Sequence, residues 1–164
     1  MARVYLLTGG NAGEVKRTLQ RAQQLINERI GPVLHCSHRY ESAPWGFEAA
    51  ESFFNQALEV STDLEPEAVL DAVQEIEREL GRNRAAEAVE KASTGARYAS
   101  RPIDIDILFY GDAVFESERL TIPHPRMAER GFVLVPLCEI ARLKRHPATG
   151  LTVGEMLDKL KEEA

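Results

Sequence analysis

The stretch IDIDILF, from Ile103 to Phe109, predicts a β-strand that is apolar on one side and acidic on the other. Successive side chains of a strand point to opposite faces of a sheet. Asp104 and Asp106 therefore share one face, while the isoleucines around them point into the core. Aspartate is a poor strand former, so two of them on a β-branched strand indicate a function. A solvated polar face is the competing interpretation.

The spacing of this acid pair predicts a cation between the two carboxylates. On strand geometry their Cα atoms lie roughly 7 Å apart, and like charges so close repel each other unless a cation or an arginine offsets them. Mg²⁺ takes one or two carboxylates and completes its octahedron with water and phosphate oxygens. Asp104 and Asp106 are thus candidate metal ligands.

An arginine-bearing segment precedes the acid pair. From Arg82 to Arg101 there are five basic and two acidic residues, whereas 64–81 carries six acids and one base. The guanidinium group of an arginine can donate hydrogen bonds to two phosphate oxygens at once. Residues of about 83–101 show no sustained helix or strand pattern, which predicts a mobile loop that closes over a polyphosphate. Pairing with a helix C-terminus or with nearby carboxylates is the alternative for the individual arginines.

The order of elements predicts an α+β fold, a ferredoxin-like sandwich in one domain spanning 1–164. We expect a mostly antiparallel sheet with helices packed on one face. The expected strands are 3–8, 33–40, 53–61 and 103–110, and the expected helices are 13–30, 63–81, 132–141 and one capped by a Thr152–Glu155 box. Gly9-Gly10-Asn11 predicts a tight turn, with an anion site of backbone N–H groups as the alternative.

Composition narrows the class of protein. The chain has 164 residues, 44% of them hydrophobic, and a formal net charge of -6. No apolar run approaches the roughly 20 residues needed to span a bilayer, and the N-terminus has no signal-peptide pattern, so we expect a cytoplasmic protein. Net acidity argues against a dedicated DNA binder. Cys36 and Cys138 are expected to be small buried residues rather than a disulfide or zinc ligands.

The segment RYASRPIDIDIL, Arg97 to Leu108, resembles the signature of a known family, the 6-hydroxymethyl-7,8-dihydropterin pyrophosphokinases of folate biosynthesis. The resemblance also covers 9–11, 40–46, 53–55, 77–84 and 120–132. It implies a monomeric enzyme that transfers the β,γ-diphosphate of ATP to the hydroxymethyl group of a reduced pterin and releases AMP. It implies small-molecule substrates only, with no nucleic-acid or membrane partner.

The resemblance also assigns roles to individual residues of this sequence. It implies that Asp104 and Asp106 hold two Mg²⁺ ions and act in catalysis together with Arg84, Arg97 and Arg101. The residues that match ATP contacts are Gln74, Arg84, Arg97, Tyr98, Arg101, Ile107, Arg119, Thr121, His124 and Arg130. The residues that match pterin contacts are Ser42, Ala43, Trp45, Phe53, Asn55, Asp104 and Phe132, with Phe53 and Phe132 as the rings on either side of the pterin.

Two other functions fit parts of the pattern. A nucleotidyltransferase also uses aspartates on a strand, but its acceptor attacks the α-phosphorus and the reaction releases pyrophosphate. A ferredoxin-like ligand-binding or RNA-binding module would expose aromatic residues on its sheet and would show no Mg²⁺-dependent turnover. The acidic net charge argues against the binding module.

Overall fold

A computed structural model describes residues 1–11, 14–42, 53–83, 89 and 102–163, and its centre is a five-stranded antiparallel sheet. The strands are β1 (Ala2–Gly10), β2 (Val33–Cys36), β3 (Tyr40–Ser42), β4 (Phe53–Thr62) and β5 (Asp104–Tyr110). Four of them form the spatial order β2-β4-β1-β5, and β3 pairs with the first residues of β4, on the same edge as β2. Helices α1 (Val15–Arg29) and α2 (Pro66–Glu79) follow β1 and β4. The ferredoxin-like order predicted from the sequence is confirmed.

Helices cover both faces of the sheet, so the prediction of helices on one face is wrong. Helices α1 and α2 pack on the face that carries Val4 and Leu6, and the opposite face, with Tyr5 and Leu7, is covered by two further helices. These are α3 (Gly131–Ala141) and α4 (Val153–Glu162). The reason lies in β1, whose consecutive apolar residues give it two buried faces, as in a strand covered on both sides.

The strand predicted over 33–40 is in fact two short strands, because the chain leaves the ladder between them. Ser37 Oγ accepts a hydrogen bond from Ala57 N at 2.9 Å, and Gln56 Nε2 donates to Ser37 O at 2.7 Å. These side-chain contacts replace regular pairing at the break. Cys36 is exposed on β2 and Cys138 is half-buried, so the prediction that both are buried is wrong; both are free thiols.

Strand β1 runs straight through the glycines that predicted a turn. Gly9 and Gly10 pair with Asn55 and Phe54 of β4, so they belong to the sheet. After β5 the chain forms a second, two-stranded sheet of β6 (Phe115–Glu116) and β7 (Thr121–Ile122), followed by a 3₁₀-helix, Met127–Glu129.

The key strand β5 has the alternation that its sequence predicts. Ile103, Ile105 and Ile107 are at most 5% exposed and lie in the core against α1 and α2. Asp104 and Asp106 pair with Gly9 and Leu7 of β1 and therefore share the face that carries Leu7. Among the described residues, no helix is long and apolar enough to cross a membrane.

The capping box at the start of α4 generates a stability prediction. Thr152 Oγ1 accepts from Glu155 N at 3.0 Å, and Glu155 Oε1 accepts from Thr152 N at 2.8 Å. We expect Thr152→Ala to lower the free energy of unfolding by about 1 kcal/mol, because the first turn loses its side-chain acceptor. Urea denaturation measures the change. Thr152→Ser keeps the oxygen and should stay close to the parent, and an equal loss in both variants would contradict the capping role.

Candidate active site

A cavity of about 460 Å³ opens at the end of the sheet where β1 finishes and where β4 and β5 begin. Its walls come from these three strands, from Ser42 of β3, from α2 and the turn after it, and from the segment 119–132. Strand β5 is the edge strand on this side of the sheet, and β7 lies beside it. The cavity is therefore reached from the end of the sheet and from the β5 edge.

Every described residue that the sequence nominated for the site lines this cavity. These residues are Ser42, Phe53, Asn55, Gln74, Asp104, Asp106, Ile107, Arg119, Thr121, His124, Arg130 and Phe132. Residues Ala43, Trp45, Arg84, Arg97, Tyr98 and Arg101, together with most of the predicted 83–101 loop, lie outside the described residues. The structure thus brings together side chains from distant parts of the chain, as one site requires.

Asp104 is held in place by a buried ion-pair network. Arg82 Nη1 donates to Asp104 Oδ1 at 2.7 Å and to Glu77 Oε2 at 2.9 Å. The side chains of Glu77 and Arg82 are 3% and 5% exposed, whereas that of Asp104 is 30% exposed. Glu77 Oε2 also accepts from Ile105 N at 2.8 Å. Removing one partner of such a network would leave an uncompensated buried charge, so its members constrain each other strongly.

Glu77 is a site residue that the sequence reasoning missed, and Arg82 is one to which it assigned a different role. Glu77 lies four residues after Val73 and directly after Ile76, so it falls on the buried stripe of α2, where a charge needs a partner. That position was the available signal. Arg82 was interpreted as a phosphate contact or as a partner of the helix C-terminus, and the structure pairs it with the two carboxylates instead.

The opposite part of the cavity carries aromatic and amide groups. Phe53 and Asn55 lie two residues apart on β4 and both line the cavity, as their spacing predicts. Phe132, at the start of α3, is 38% exposed, and the guanidinium carbon of Arg130 lies 5.6 Å from the centre of its ring. Two aromatic rings, one on the sheet and one on a helix, thus border the same space.

Gly9 allows the Asn55 side chain to lie against β1. A Cβ atom at Gly9 would come within 2.4 Å of Asn55 Oδ1 and 3.0 Å of Phe54 O. Real Cβ atoms do not approach so closely, and here the obstacle includes backbone. The glycine therefore serves the placement of Asn55, rather than the tight turn that the sequence suggested.

The segment after β7 contributes polar groups with defined charge states. Burial and the nearby guanidinium of Arg130 lower the pKa of His124, so its ring is neutral at pH 7. Arg126 N donates to His124 Nδ1 at 3.2 Å, which leaves the proton of the neutral ring on Nε2. Arg119 lines the cavity, and its Nη2 donates a hydrogen bond to Asp71 Oδ1 at 2.5 Å.

Fold and site together define a class of protein. Carboxylates paired on an edge strand, arginines around them and aromatic rings open to the same cavity are the parts of an enzyme that transfers phosphoryl-type groups, where catalysis depends on positioning and charge stabilisation.

Comparison with known proteins agrees with this class. Residues 5–142 match the family model described as 7,8-dihydro-6-hydroxymethylpterin-pyrophosphokinase. The 2-amino-4-hydroxy-6-hydroxymethyldihydropteridine pyrophosphokinase of Porphyromonas gingivalis is 40% identical over 144 residues, covering 86% of this chain and 92% of the relative. The enzyme of the same name from Bacillus subtilis is 38% identical over 146 residues, covering 88% of this chain and 81% of the relative.

The fold is also found among solved structures. The chain superimposes on a crystal structure of Plasmodium falciparum HPPK-DHPS with pteroate at a TM-score of 0.74 and 15% identity, covering 96% of this chain. It spans 44% of the length of that longer chain.

The chain belongs to the 7,8-dihydro-6-hydroxymethylpterin-pyrophosphokinase family. It is a diphosphotransferase of folate biosynthesis that uses ATP as co-substrate and transfers the pyrophosphoryl group to hydroxymethyldihydropterin. This membership decides among the three interpretations of the sequence in favour of the diphosphotransferase.

The close contact between Gly9 and Asn55 generates a prediction about binding. We expect Gly9→Ala to weaken pterin binding about tenfold, equivalent to about 1.4 kcal/mol, because the added Cβ displaces Asn55 from the cavity wall. ATP affinity should be unchanged. Isothermal titration calorimetry with each ligand measures both values.

A double-variant cycle tests whether Gly9 acts through Asn55. In a protein that already carries Asn55→Ala, the further change Gly9→Ala should have little additional effect on pterin affinity. Fully additive losses would contradict the proposed link between the two residues.

Proposed function

We propose that this one cavity binds both substrates side by side, with Asp104 and Asp106 at the boundary between them. The observation that carries this is the position of β5. On one side of β5, beyond β1, lies β4, which supplies Phe53 and Asn55. On the other side of β5 lie β7 and the turn after it, which supply Thr121 and His124. The pterin would lie between the rings of Phe53 and Phe132, and stacking of this kind is worth on the order of 1 kcal/mol beyond area burial.

The nucleotide side is proposed to be formed by Gln74, Ile107 and the segment 119–130. Here Arg119 and Arg130 supply positive charge and Thr121 a hydroxyl group at the cavity wall. The neutral ring of His124 would donate a hydrogen bond from Nε2 rather than add a charge. The proposed roles of Arg84, Arg97, Tyr98 and Arg101 rest on the sequence alone, as parts of a loop that closes over the phosphates.

Charge balance supports added cations at the site. The described lining contains three carboxylates, Glu77, Asp104 and Asp106, and three arginines, Arg82, Arg119 and Arg130, so these ionic side chains cancel. A triphosphate adds several negative charges to this lining. The loop arginines and divalent metal ions would supply the positive charge that the described wall lacks.

The acid pair fits Mg²⁺. Asp104 and Asp106 offer hard oxygen ligands on one face of β5, and Mg²⁺ in phosphate-handling sites takes one or two carboxylates beside substrate oxygens and water. Within the described ranges, no group of three or more acidic, histidine or cysteine side chains forms a complete metal site. We infer, as the resemblance of the sequence implies, that two such ions are held jointly by these carboxylates and the substrate phosphates.

The chemistry divides between the bound ions and the chain. Mg²⁺, when bound, stabilises the charge that develops on the transferred group and orients the phosphates. The chain orients the acceptor by stacking and by Asn55, keeps Asp104 in place through Arg82 and Glu77, and lines the phosphate path with arginines. The pterin hydroxymethyl oxygen then loses its proton to water and forms a bond to the β-phosphorus of ATP, while the bond between the β-phosphorus and the oxygen that bridges it to the α-phosphorus breaks, and AMP leaves with that oxygen.

We also infer that 1–164 acts as one domain and as a monomer in the cytoplasm, without nucleic-acid or membrane partners. The support is that the described site residues line one cavity of this fold and that the net charge of -6 does not suit a polyanionic partner.

Replacing one carboxylate tests the proposed function. We expect Asp106→Asn to lower turnover at least about a hundredfold, the size of effect typical for a lost electrostatic contact in a transition state. Thermal unfolding should be unchanged, because the amide keeps the side-chain volume. Phosphorus NMR with ATP, Mg²⁺ and the reduced pterin alcohol follows the reaction.

Asp112→Asn is the matched control. Asp112 follows β5, is 89% exposed and pairs with Lys144 away from the cavity, so this variant should keep full activity. Unchanged turnover in Asp106→Asn would refute the assignment of Asp106. Release of free pyrophosphate, in place of AMP and a pterin diphosphate, would refute the reaction.

A further inference from the structure

Outside the cavity, one carboxylate links two elements that border the proposed pterin site. Glu139 of α3 accepts hydrogen bonds from Tyr40 Oη at 2.5 Å and from His38 Nδ1 at 3.0 Å. The backbone N of His38 lies 3.1 Å and 3.3 Å from the two Glu139 oxygens. Three donors from the start of β3 and the turn before it therefore converge on one side chain of the helix.

The Glu139 carboxylate is the less exposed member of its pair with His38 and accepts all the hydrogen bonds of this cluster. The Glu139 side chain is 29% exposed, whereas that of His38 is 87% exposed. The hydrogen bond from Tyr40, followed by those from His38, lowers the pKa of Glu139, so the acceptor is ionised at neutral pH. Hydrogen bonds to an ionised acceptor are stronger than those between neutral groups. The link between α3 and β3 is thus charge-assisted.

Glu139 and Tyr40 lie on the two elements that carry or adjoin the aromatic residues Phe132 and Phe53. Glu139 follows Phe132 by seven residues, two helical turns, so the two side chains lie on the same side of α3. Tyr40 precedes Ser42 by two residues and shares its face of β3. In the sheet Tyr40 pairs with Asn55, and Ser42 pairs with Phe53. The helix that carries one ring is therefore tied to the strand pair that carries the other.

We propose that Glu139, through Tyr40 and His38, is a positioning residue for the pterin, because it sets the gap between Phe132 and Phe53. This inference rests on the proposed function, in which those two rings enclose the pterin. Aromatic stacking is effective only when ring centroids stay within about 7 Å. A small shift of α3 relative to β3 therefore weakens contact with a flat ligand more than it disturbs the proposed nucleotide side, of which Arg130 directly precedes α3. Tyr40 and Glu139 are not among the described residues that line the cavity, so the role proposed for them is indirect.

The chain contains a second cluster of the same chemistry that serves as a matched control. Glu59 accepts from Tyr5 Oη at 2.7 Å and from Arg3 Nη1 at 3.1 Å, and its other oxygen lies 2.5 Å from His35 Nδ1. Tyr5 and Glu59 face each other on β1 and β4, four positions along the ladder from the Gly9–Asn55 pair at the cavity. The printed hydrogen bonds of this cluster join β1, β2 and β4 and do not connect α3 to β3, so breaking them leaves the link between the two rings in place.

The experiment compares Tyr40→Phe and Glu139→Gln with Tyr5→Phe and Glu59→Gln. For each protein, calorimetry gives the Kd of the reduced pterin alcohol, steady-state kinetics give KM for each substrate, and thermal unfolding gives Tm. We expect the Tyr40 and Glu139 variants to raise the pterin Kd and KM fivefold or more, with KM for ATP changed less than twofold. The Tyr5 and Glu59 variants should lower Tm but leave the pterin Kd within twofold of the parent.

The pterin Kd of the double variant Tyr40→Phe/Glu139→Gln should be no higher than that of the single variant with the higher Kd, because both changes break the same link. The inference is overturned if the Tyr40 and Glu139 variants bind pterin as the parent does, or if the control pair weakens binding equally. In either case the parent still binds and turns over pterin, so the proposed function stands. A parent protein that does not bind the pterin would instead overturn the proposed function, and this inference with it.

Discussion

The contact on which the site depends is the buried guanidinium of Arg82 between the carboxylates of Glu77 and Asp104. Two aspartates on adjacent same-face positions of β5 repel each other, and a buried glutamate beside them adds to that cost. The arginine offsets the charge, and Glu77 adds a hydrogen bond to the backbone of Ile105. These contacts hold helix α2 against the first residues of β5, so the Asp104 side chain has a defined position in the cavity wall.

The layered architecture explains why the cavity lies at one end of the sheet. Helices cover both faces of β1, so the middle of the sheet is closed by apolar clusters on each side. At the end of β1, small residues replace the apolar run, and Gly9 leaves space that the Asn55 side chain occupies. Open space remains where the helix layers stop, and the polar side chains of five separate segments converge there.

Periodicity predicted much of the fold. The acidic and apolar faces of β5, the helices α1 and α2 and the capping box of α4 all follow from patterns within a few residues. The break between β2 and β3 was missed, since it depends on Ser37 meeting Ala57 and Gln56 of another strand. The second helix layer was also missed, although the unbroken apolar run of β1 contained the signal. Family resemblance nominated the cavity residues, and the predicted arginine loop stays a prediction.

By itself, the sequence determined that Asp104 and Asp106 share one face of a strand, because side-chain direction in a strand depends only on local backbone geometry. It also determined the family, through the pattern around that strand. Only the tertiary structure decided which groups meet these carboxylates. Arg82 and Asp104 are separated by 22 positions, and Glu139 and Tyr40 by 99. Contacts over such separations arise from the packing of helices on the sheet, which no local pattern of residues encodes.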